Sequence, residues 1–204
     1  MNIAIVDYGM GNIKSLHSAF KYIGCDNISV TSNEAALTHA DKIVLPGVGA
    51  FGRAMKLISS SGLDLVLQEL ILDRKKPILG ICLGMQLLGQ SSNENGESKG
   101  LGFVDAVVDN FELDEGLSVP HVGYNQIQAN NSSRLYRSMN KVLDFYFVHG
   151  YKMSSDQDIG QSMCHYGENF IASFEVDNIT GTQFHPELSQ KNGLQVLKNF
   201  IELF

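Results

Sequence analysis

The 204-residue chain has no tryptophan, only three cysteines and a deficit of basic side chains, with 15 Lys and Arg against 22 Asp and Glu. An odd and sparse cysteine count excludes a disulfide-braced scaffold. The formal charge of −7 leaves no basic excess to neutralise phosphates, so nucleic acid is not an expected partner. Acidity this mild serves solubility. No run approaches the roughly 18 apolar residues of a membrane-spanning helix. Residues 1–7 lack the basic start and long apolar stretch of a secretory leader. The expected location is therefore the cytoplasm, where thiols stay reduced. The remaining composition, 44% hydrophobic and 18% charged, is that of a globular chain long enough to bury a core.

The first half alternates strands and helices. Residues 3–6 are a continuous apolar run, as a buried parallel strand requires, and Gly9-Met10-Gly11-Asn12 breaks it. Residues 13–23 carry helical spacing through Ile13, Leu16, Phe20 and Ile23. Strands are predicted at 28–31, 42–45 and 77–81, and helices at 63–72 and from 85 to 88. Repeated units of this length predict an α/β fold, an open and mostly parallel central sheet flanked by helices. Residues 91–100 are polar and read as a loop. Strand-like segments then follow at 103–108, 119–128, 142–148, 159–165, 170–176 and 179–184, with few helices between them. They predict additional antiparallel strands in the C-terminal half, the last two joined by a tight turn at Asp177-Asn178. Residues 194–204 close the chain as an amphipathic helix. Neither repeat nor linker interrupts the pattern, so residues 1–204 read as one domain.

The strongest local signal is Gly80-Ile81-Cys82-Leu83-Gly84. A nucleophile between two glycines, after an apolar strand and before a helix, is the nucleophile-elbow arrangement. A helix N-terminus favours the thiolate of Cys82, and the N–H of Leu83 would face a developing oxyanion. The alternative is a small buried cysteine at a strand end. Of six histidines, His17 and His39 sit on helix-like stretches as surface residues. His165 follows Cys164 and so points to the opposite strand face. His185 ends a strand, Pro186 stops regular pairing, and Glu187 lies two residues on, where a carboxylate can fix the imidazole tautomer. On spacing alone, a polar turn holding His and Glu is an equal reading. Cys25 and Cys164 lack an elbow and read as small buried hydrophobes, and no ligand spacing implies a metal. In the first turn the third glycine of a dinucleotide fingerprint falls at Lys14, so that motif fails and no cofactor is expected. Pro46-Gly47-Val48-Gly49-Ala50-Phe51-Gly52 lies at a strand's carboxyl end. It could line a ligand crevice with N–H donors, or be only a turn.

Taken together these residues resemble the triad-type (class I) glutamine amidotransferases, whose pattern is Cys, then His-Pro-Glu near the C-terminus. Within that family the likeness is greatest to the glutaminase subunits of imidazole glycerol phosphate synthases, and it covers nearly the whole chain. It is carried by Asp7-Tyr8-Gly9-Met10-Gly11-Asn12, Leu45-Pro46-Gly47-Val48-Gly49-Ala50-Phe51, Gly80-Ile81-Cys82-Leu83-Gly84-Met85-Gln86-Leu87-Leu88, Val119-Pro120-His121-Val122-Gly123, Tyr146-Phe147-Val148-His149 and Gly181-Thr182-Gln183-Phe184-His185-Pro186-Glu187. The resemblance implies that Cys82 attacks the side-chain amide of glutamine, that His185 shuttles protons, and that Glu187 orients His185. It implies an oxyanion site at Leu83 and the Gly47-Val48-Gly49 loop, with glutamine contacts at Gly49 and Gln86. It also implies that ammonia passes to a separate (β/α)8-barrel cyclase of histidine biosynthesis, with Asn12, Tyr124, Asn125 and Tyr146 as candidate interface residues.

Three positions depart from the family pattern. Tyr124 stands where Trp is general, Gly150 where Ser or Thr is usual, and Leu188 where a basic residue is general. Tyr124 and Leu188 motivate an alternative, a paralogous glutaminase that supplies ammonia to a surface-sugar amidotransferase. A catalytically idle docking module and a cysteine protease or thioesterase on the same elbow are further readings.

Overall fold

The computed structural model describes residues 1–112, 117–139 and 142–204. The chain opens with β1 (Ile3–Val6), α1 (Ile13–Tyr22), β2 (Ile28–Thr31), α2 (Glu34–His39) and β3 (Lys42–Gly47). There follow α3 (Phe51–Ser60), α4 (Leu63–Gln68), β4 (Ile78–Cys82) and α5 (Leu83–Leu87). The second half holds β5 (Ser91–Ser92), β6 (Ser98–Lys99), β7 (Val107–Asn110), β8 (His121–Gln128), β9 (Asp144–His149) and β10 (Tyr151–Ser154). It ends with β11 (Ser162–Tyr166), β12 (Glu168–Val176), β13 (Ile179–Thr182) and α6 (Gln190–Leu203).

Among the described residues, nine strands form one sheet in the order β2-β1-β3-β4-β13-β12-β11-β8-β9. The pairs from β2 to β13 are parallel. Those from β13 to β9 are antiparallel. The predicted class and the change of character after the first half are both observed. Strand period explains why the sheet is covered on both sides. Ala4, Val6, Ile43, Leu45 and Ile78 pack with α2 to α5, whereas Ile3, Ile5, Val44, Leu79 and Ile81 pack with α1 and α6. Phe145 and Phe184 stack in the second core with centroids 4.0 Å apart.

Several predicted boundaries move. The 91–100 loop contains β5 and β6, which join β7 and β10 in a second, four-stranded sheet. The strand read at 103–108 begins only at Val107, and α2, α3 and β10 are additions to the predicted elements. The helix read at 63–72 is α-helical to Gln68 and widens into a π-turn over Glu69–Asp73. The helix read from 85 starts at Leu83, directly after Cys82. The Asp177-Asn178 turn is observed, with Val176 paired to Ile179. No helix among the described residues is long and apolar enough to cross a membrane.

Candidate active site

Parallel pairing brings Gly47 of β3 opposite Cys82 of β4, and Thr182 of β13 opposite Ile81. Three loops therefore converge at the carboxyl ends of adjacent strands, where open α/β sheets hold ligands. Cys82 has φ 54 and ψ −111, a conformation that L-residues rarely adopt. The flanking glycines make it possible. A Cβ on Gly84 would lie 1.8 Å from the Leu45 carbonyl oxygen, and one on Gly80 would lie 2.7 Å from backbone atoms of Gly84 and Met85. The elbow is thus present as predicted, with sulfur at the rim of a cavity. The Cys82 Sγ lies 3.8 Å from the Val148 carbonyl oxygen and 3.7 Å from Nε2 of Gln183.

His185 follows β13 and Glu187 lies in a short turn of 3-10 helix. His185 Nδ1 and Glu187 Oε1 are 2.9 Å apart, and both side chains are nearly inaccessible. A carboxylate there accepts from Nδ1–H, which presents Nε2 to the sulfur's cavity. Burial, the largest influence, pushes the imidazole pKa down. The Cys82 sulfur and the Glu187 carboxylate outweigh it and raise the group to about 10. His185 Nε2 and Glu187 Oε2 are buried without a hydrogen-bond partner. The turn is held from β9: His185 N–H donates to the Tyr146 carbonyl, and Ser189 Oγ accepts from Tyr146 N–H while donating to the His185 carbonyl.

A cleft of about 410 Å³ opens beside these groups and is lined by Cys82, Leu83, Gln86, Val48, Gly49 and His185. Cys82, His185, both glutamine-contact candidates and two of the three oxyanion candidates therefore gather at one cavity, with Glu187 buried behind His185. Gly47 does not line it. It is buried beneath the loop, where a Cβ would lie 2.5 Å from the Tyr8 hydroxyl, itself donating to the Pro46 carbonyl at 2.9 Å. Gly49 has φ 107, so its freedom from a Cβ shapes the loop directly.

Sequence reasoning did not name Glu94, Pro120, Val148, His149 or Tyr151 as lining residues of this cleft, whereas Gly150, read as lying near the glutamine pocket, does line it. Glu94 came from the segment read as a featureless loop. Its Oε2 accepts from Phe51 N–H at 2.6 Å, at the N-terminus of α3. His149 Nδ1 lies 2.8 Å from the Tyr151 carbonyl, and its Nε2 lies 3.0 Å from His121 Nδ1. A carbonyl only accepts, so His149 carries its proton on Nδ1, and His121 donates. Both rings are buried among Phe147, Tyr166, Phe111 and Phe170. Burial drives His121 down to about 4 and His149 to about 3. Of the other two cysteines, both read as small buried hydrophobes, Cys164 is buried and Cys25 is only half-buried. His165 is exposed beside buried Cys164, on the opposite strand face.

The interface candidates divide. Tyr124 and Tyr146 are cross-strand partners with rings 5.6 Å apart, and Val122 pairs with Val148 on the same face. Tyr124 Oη donates to the Leu188 carbonyl at 2.7 Å. Asn12 precedes α1 at the carboxyl end of β1 and its side chain makes no cap bond. Asn125 alternates to the other face of β8, where its side chain bonds the His165 carbonyl and Gln126 N–H. A Cβ on Gly150 would meet only Val119 Cγ1 at 3.6 Å, so the missing hydroxyl of that position leaves room.

A cysteine in a strained elbow, a buried His–Glu pair and a cleft at the sheet's carboxyl edge are the arrangement of a thiol-dependent acyl-transfer enzyme. The family model of class-I glutamine amidotransferases matches residues 4–203. The chain is 44% identical to the imidazole glycerol phosphate synthase subunit HisH 1 of Campylobacter jejuni over 98% of its own length and 100% of that protein. It is 41% identical to subunit HisH of Aquifex aeolicus, over 98% and 96%. Its fold matches PurLQS from Thermotoga maritima with a TM-score of 0.73, at 18% identity over 98% of this chain and 97% of that one. The chain belongs to the class-I glutamine amidotransferases and, among them, to the imidazole glycerol phosphate synthase HisH subunits.

Proposed function

We propose that the whole chain works as one cytoplasmic glutaminase domain of an imidazole glycerol phosphate synthase, hydrolysing glutamine to glutamate and ammonia. The observation that carries this is the placement of Cys82 and His185 on one cleft at the strand ends, with the Glu187 carboxylate 2.9 Å behind His185. Cys82 sulfur attacks the side-chain carbonyl carbon, and the C–N bond breaks as His185 gives its Nε2 proton to the leaving ammonia. Water then attacks the thioester, His185 takes its proton, the C–S bond breaks and the thiolate returns. The N–H groups of Leu83 and of the Val48-Gly49 segment are the oxyanion donors. Gln86 Nε2 is engaged by the Tyr151 carbonyl and by Gln183, so its oxygen is the atom left to accept from glutamine's ammonium. Glu94 is a second acceptor for that ammonium.

The partner is a (β/α)8-barrel cyclase that receives the ammonia and makes imidazole glycerol phosphate. The exposed face of β8 and β9 supports a docking surface here. Val122, Tyr124 and Val148 stand in adjacent cross-strand pairs and are 56%, 50% and 38% exposed. Val148 also touches the Cys82 sulfur through its carbonyl, so a partner seated there meets the cleft where ammonia is released. Asn12, Tyr124 and Tyr146 are the contacts proposed, with Asn125 positioning β8 from behind. The relatives' shared name does not favour a surface-sugar acceptor. The test is glutamine hydrolysis with the cyclase and its ligand present. Activity is expected to be lost by at least about 10³-fold in Cys82→Ala, and unchanged activity in that variant would remove the reading. Rescue of a histidine auxotroph lacking this subunit tests the pathway, and failure to rescue removes the assignment to histidine biosynthesis.

A further inference from the structure

Gln183 and Gln86 are two uncharged amides buried to 0% and 5% exposure in the middle of the molecule. Burying an amide is costly unless its hydrogen bonds are made, so the direction of each bond is constrained. The Tyr151 carbonyl can only accept. The Gln86 atom 3.1 Å from it must therefore be the amide nitrogen, and that same nitrogen lies 3.0 Å from the Gln183 side chain. The Gln183 atom facing it must then be Oε1. Its nitrogen is consequently turned the other way, to 3.7 Å from the Cys82 sulfur. The Tyr151 carbonyl also accepts from His149 Nδ1, whose far nitrogen accepts from His121. Both lone pairs of that carbonyl are thus used, and the amide orientation is set from several sides.

We infer that Gln183 is a further catalytic residue: its N–H, aimed by the Gln86–Tyr151 bonds, stabilises the thiolate form of the Cys82 nucleophile. A hydrogen bond to a charged acceptor is stronger than one to a neutral thiol, so the donor acts differentially. The proton that leaves the sulfur goes to His185 Nε2, the buried nitrogen otherwise without a partner. The Val148 carbonyl, 3.8 Å from the sulfur, favours the opposite state because it can accept only from S–H. Gln183 counters that bias without adding a charge to a buried site.

The inference rests on Cys82 being the nucleophile, and one experiment separates the two. The rate at which iodoacetamide alkylates Cys82 is followed against pH in the full chain by peptide mass. In Gln183→Met, which keeps the length and loses the donor, the half-maximal pH is expected to rise by about one unit, a tenfold change in thiolate fraction. Gln183→Glu, which keeps the shape and turns a carboxylate oxygen on the sulfur, is expected to raise it further. A merely structural role lowers turnover without moving this profile. An unmoved profile in either folded variant overturns the inference and leaves the nucleophile standing. Absence of any pH-dependent alkylation at Cys82 in the unsubstituted chain overturns both. If the variants do not fold, the unsubstituted chain still decides. One buried glutamine amide 15N–1H pair is expected to shift with the alkylation midpoint and to stay fixed in Cys82→Ala. A constant signal in the unsubstituted chain overturns the inference.

Discussion

Glu187 touches no part of the cleft, yet its carboxylate sets the state of the group that does. With Oε1 2.9 Å from His185 Nδ1, it fixes the tautomer and helps raise the imidazole to about 10 against the opposing effect of burial. The protonated ring is the acid that ammonia departure needs, so glutaminase activity in the complex is expected to persist to about pH 9 and to fall as pH rises through about 10. Glu187→Gln removes the charge and keeps the shape. It is expected to lower kcat by about 10²-fold or more and to move that upper limb to lower pH, both read from a pH–rate profile. Glu94→Gln tests a different role. If its carboxylate holds the substrate ammonium, KM for glutamine rises about tenfold or more while kcat changes little. A fall in kcat at constant KM would assign Glu94 to the cap of α3 alone.

At the scale of elements, the site depends on how closely α5 approaches β3 and β4. Gly84→Ala would place a methyl 1.8 Å from the Leu45 carbonyl oxygen, which neither strand can yield without shifting the elbow. We expect a loss of about 2–4 kcal/mol in a denaturant titration, together with loss of activity. Gly150→Ser is the contrasting case. Its Cβ meets only Val119 at 3.6 Å, so the fold should tolerate it within about 0.5 kcal/mol. The elbow is legible in the amino-acid order because strand, glycine, cysteine, glycine and helix are adjacent in the chain. Helix α3 is legible in principle, since Phe51, Ala54 and Ile58 form its buried stripe. The glycine-rich start of that segment masks it. The two-residue strands β5 and β6 carry no periodicity, and only pairing with each other and with β7 defines them.

Across the whole molecule, three buried histidines titrate in opposite directions. The raised His185 contributes stability that is fully present below about pH 6.5 and is lost as pH rises through about 10. The lowered His121 and His149 must be protonated in the unfolded chain before they are in the folded one. Their neutral burial therefore supports the fold above about pH 6.5 and opposes it as pH falls towards about 4. Urea midpoints are expected to drop steeply between about pH 6.5 and about pH 4.5, and His121→Phe should make that slope shallower. An equal slope in the variant would show that carboxylates alone govern the acid limit. The His121–His149 pair spans β8 and β9 at one end of the nine-stranded sheet, so acid stress is expected to reach the proposed partner face early.

The sequence by itself determined the α/β class, the change to antiparallel strands, the cysteine elbow and the His-Pro-Glu turn. Each is written in short-range periodicity or in residues within a few positions of one another. The tertiary structure alone decided which distant segments meet. Sheet order put Gly47, Cys82 and the end of β13 side by side, although they are far apart in the chain. It withdrew Gly47 from the cleft, separated Asn125 from Tyr124 and brought in Glu94 from an unremarkable loop. It also fixed the direction of the Gln86 and Gln183 amides, which no local pattern encodes. The reason is physical. Backbone periodicity reports only which face of an element is buried, whereas the partner of a buried polar atom is set by what the other strands place opposite it.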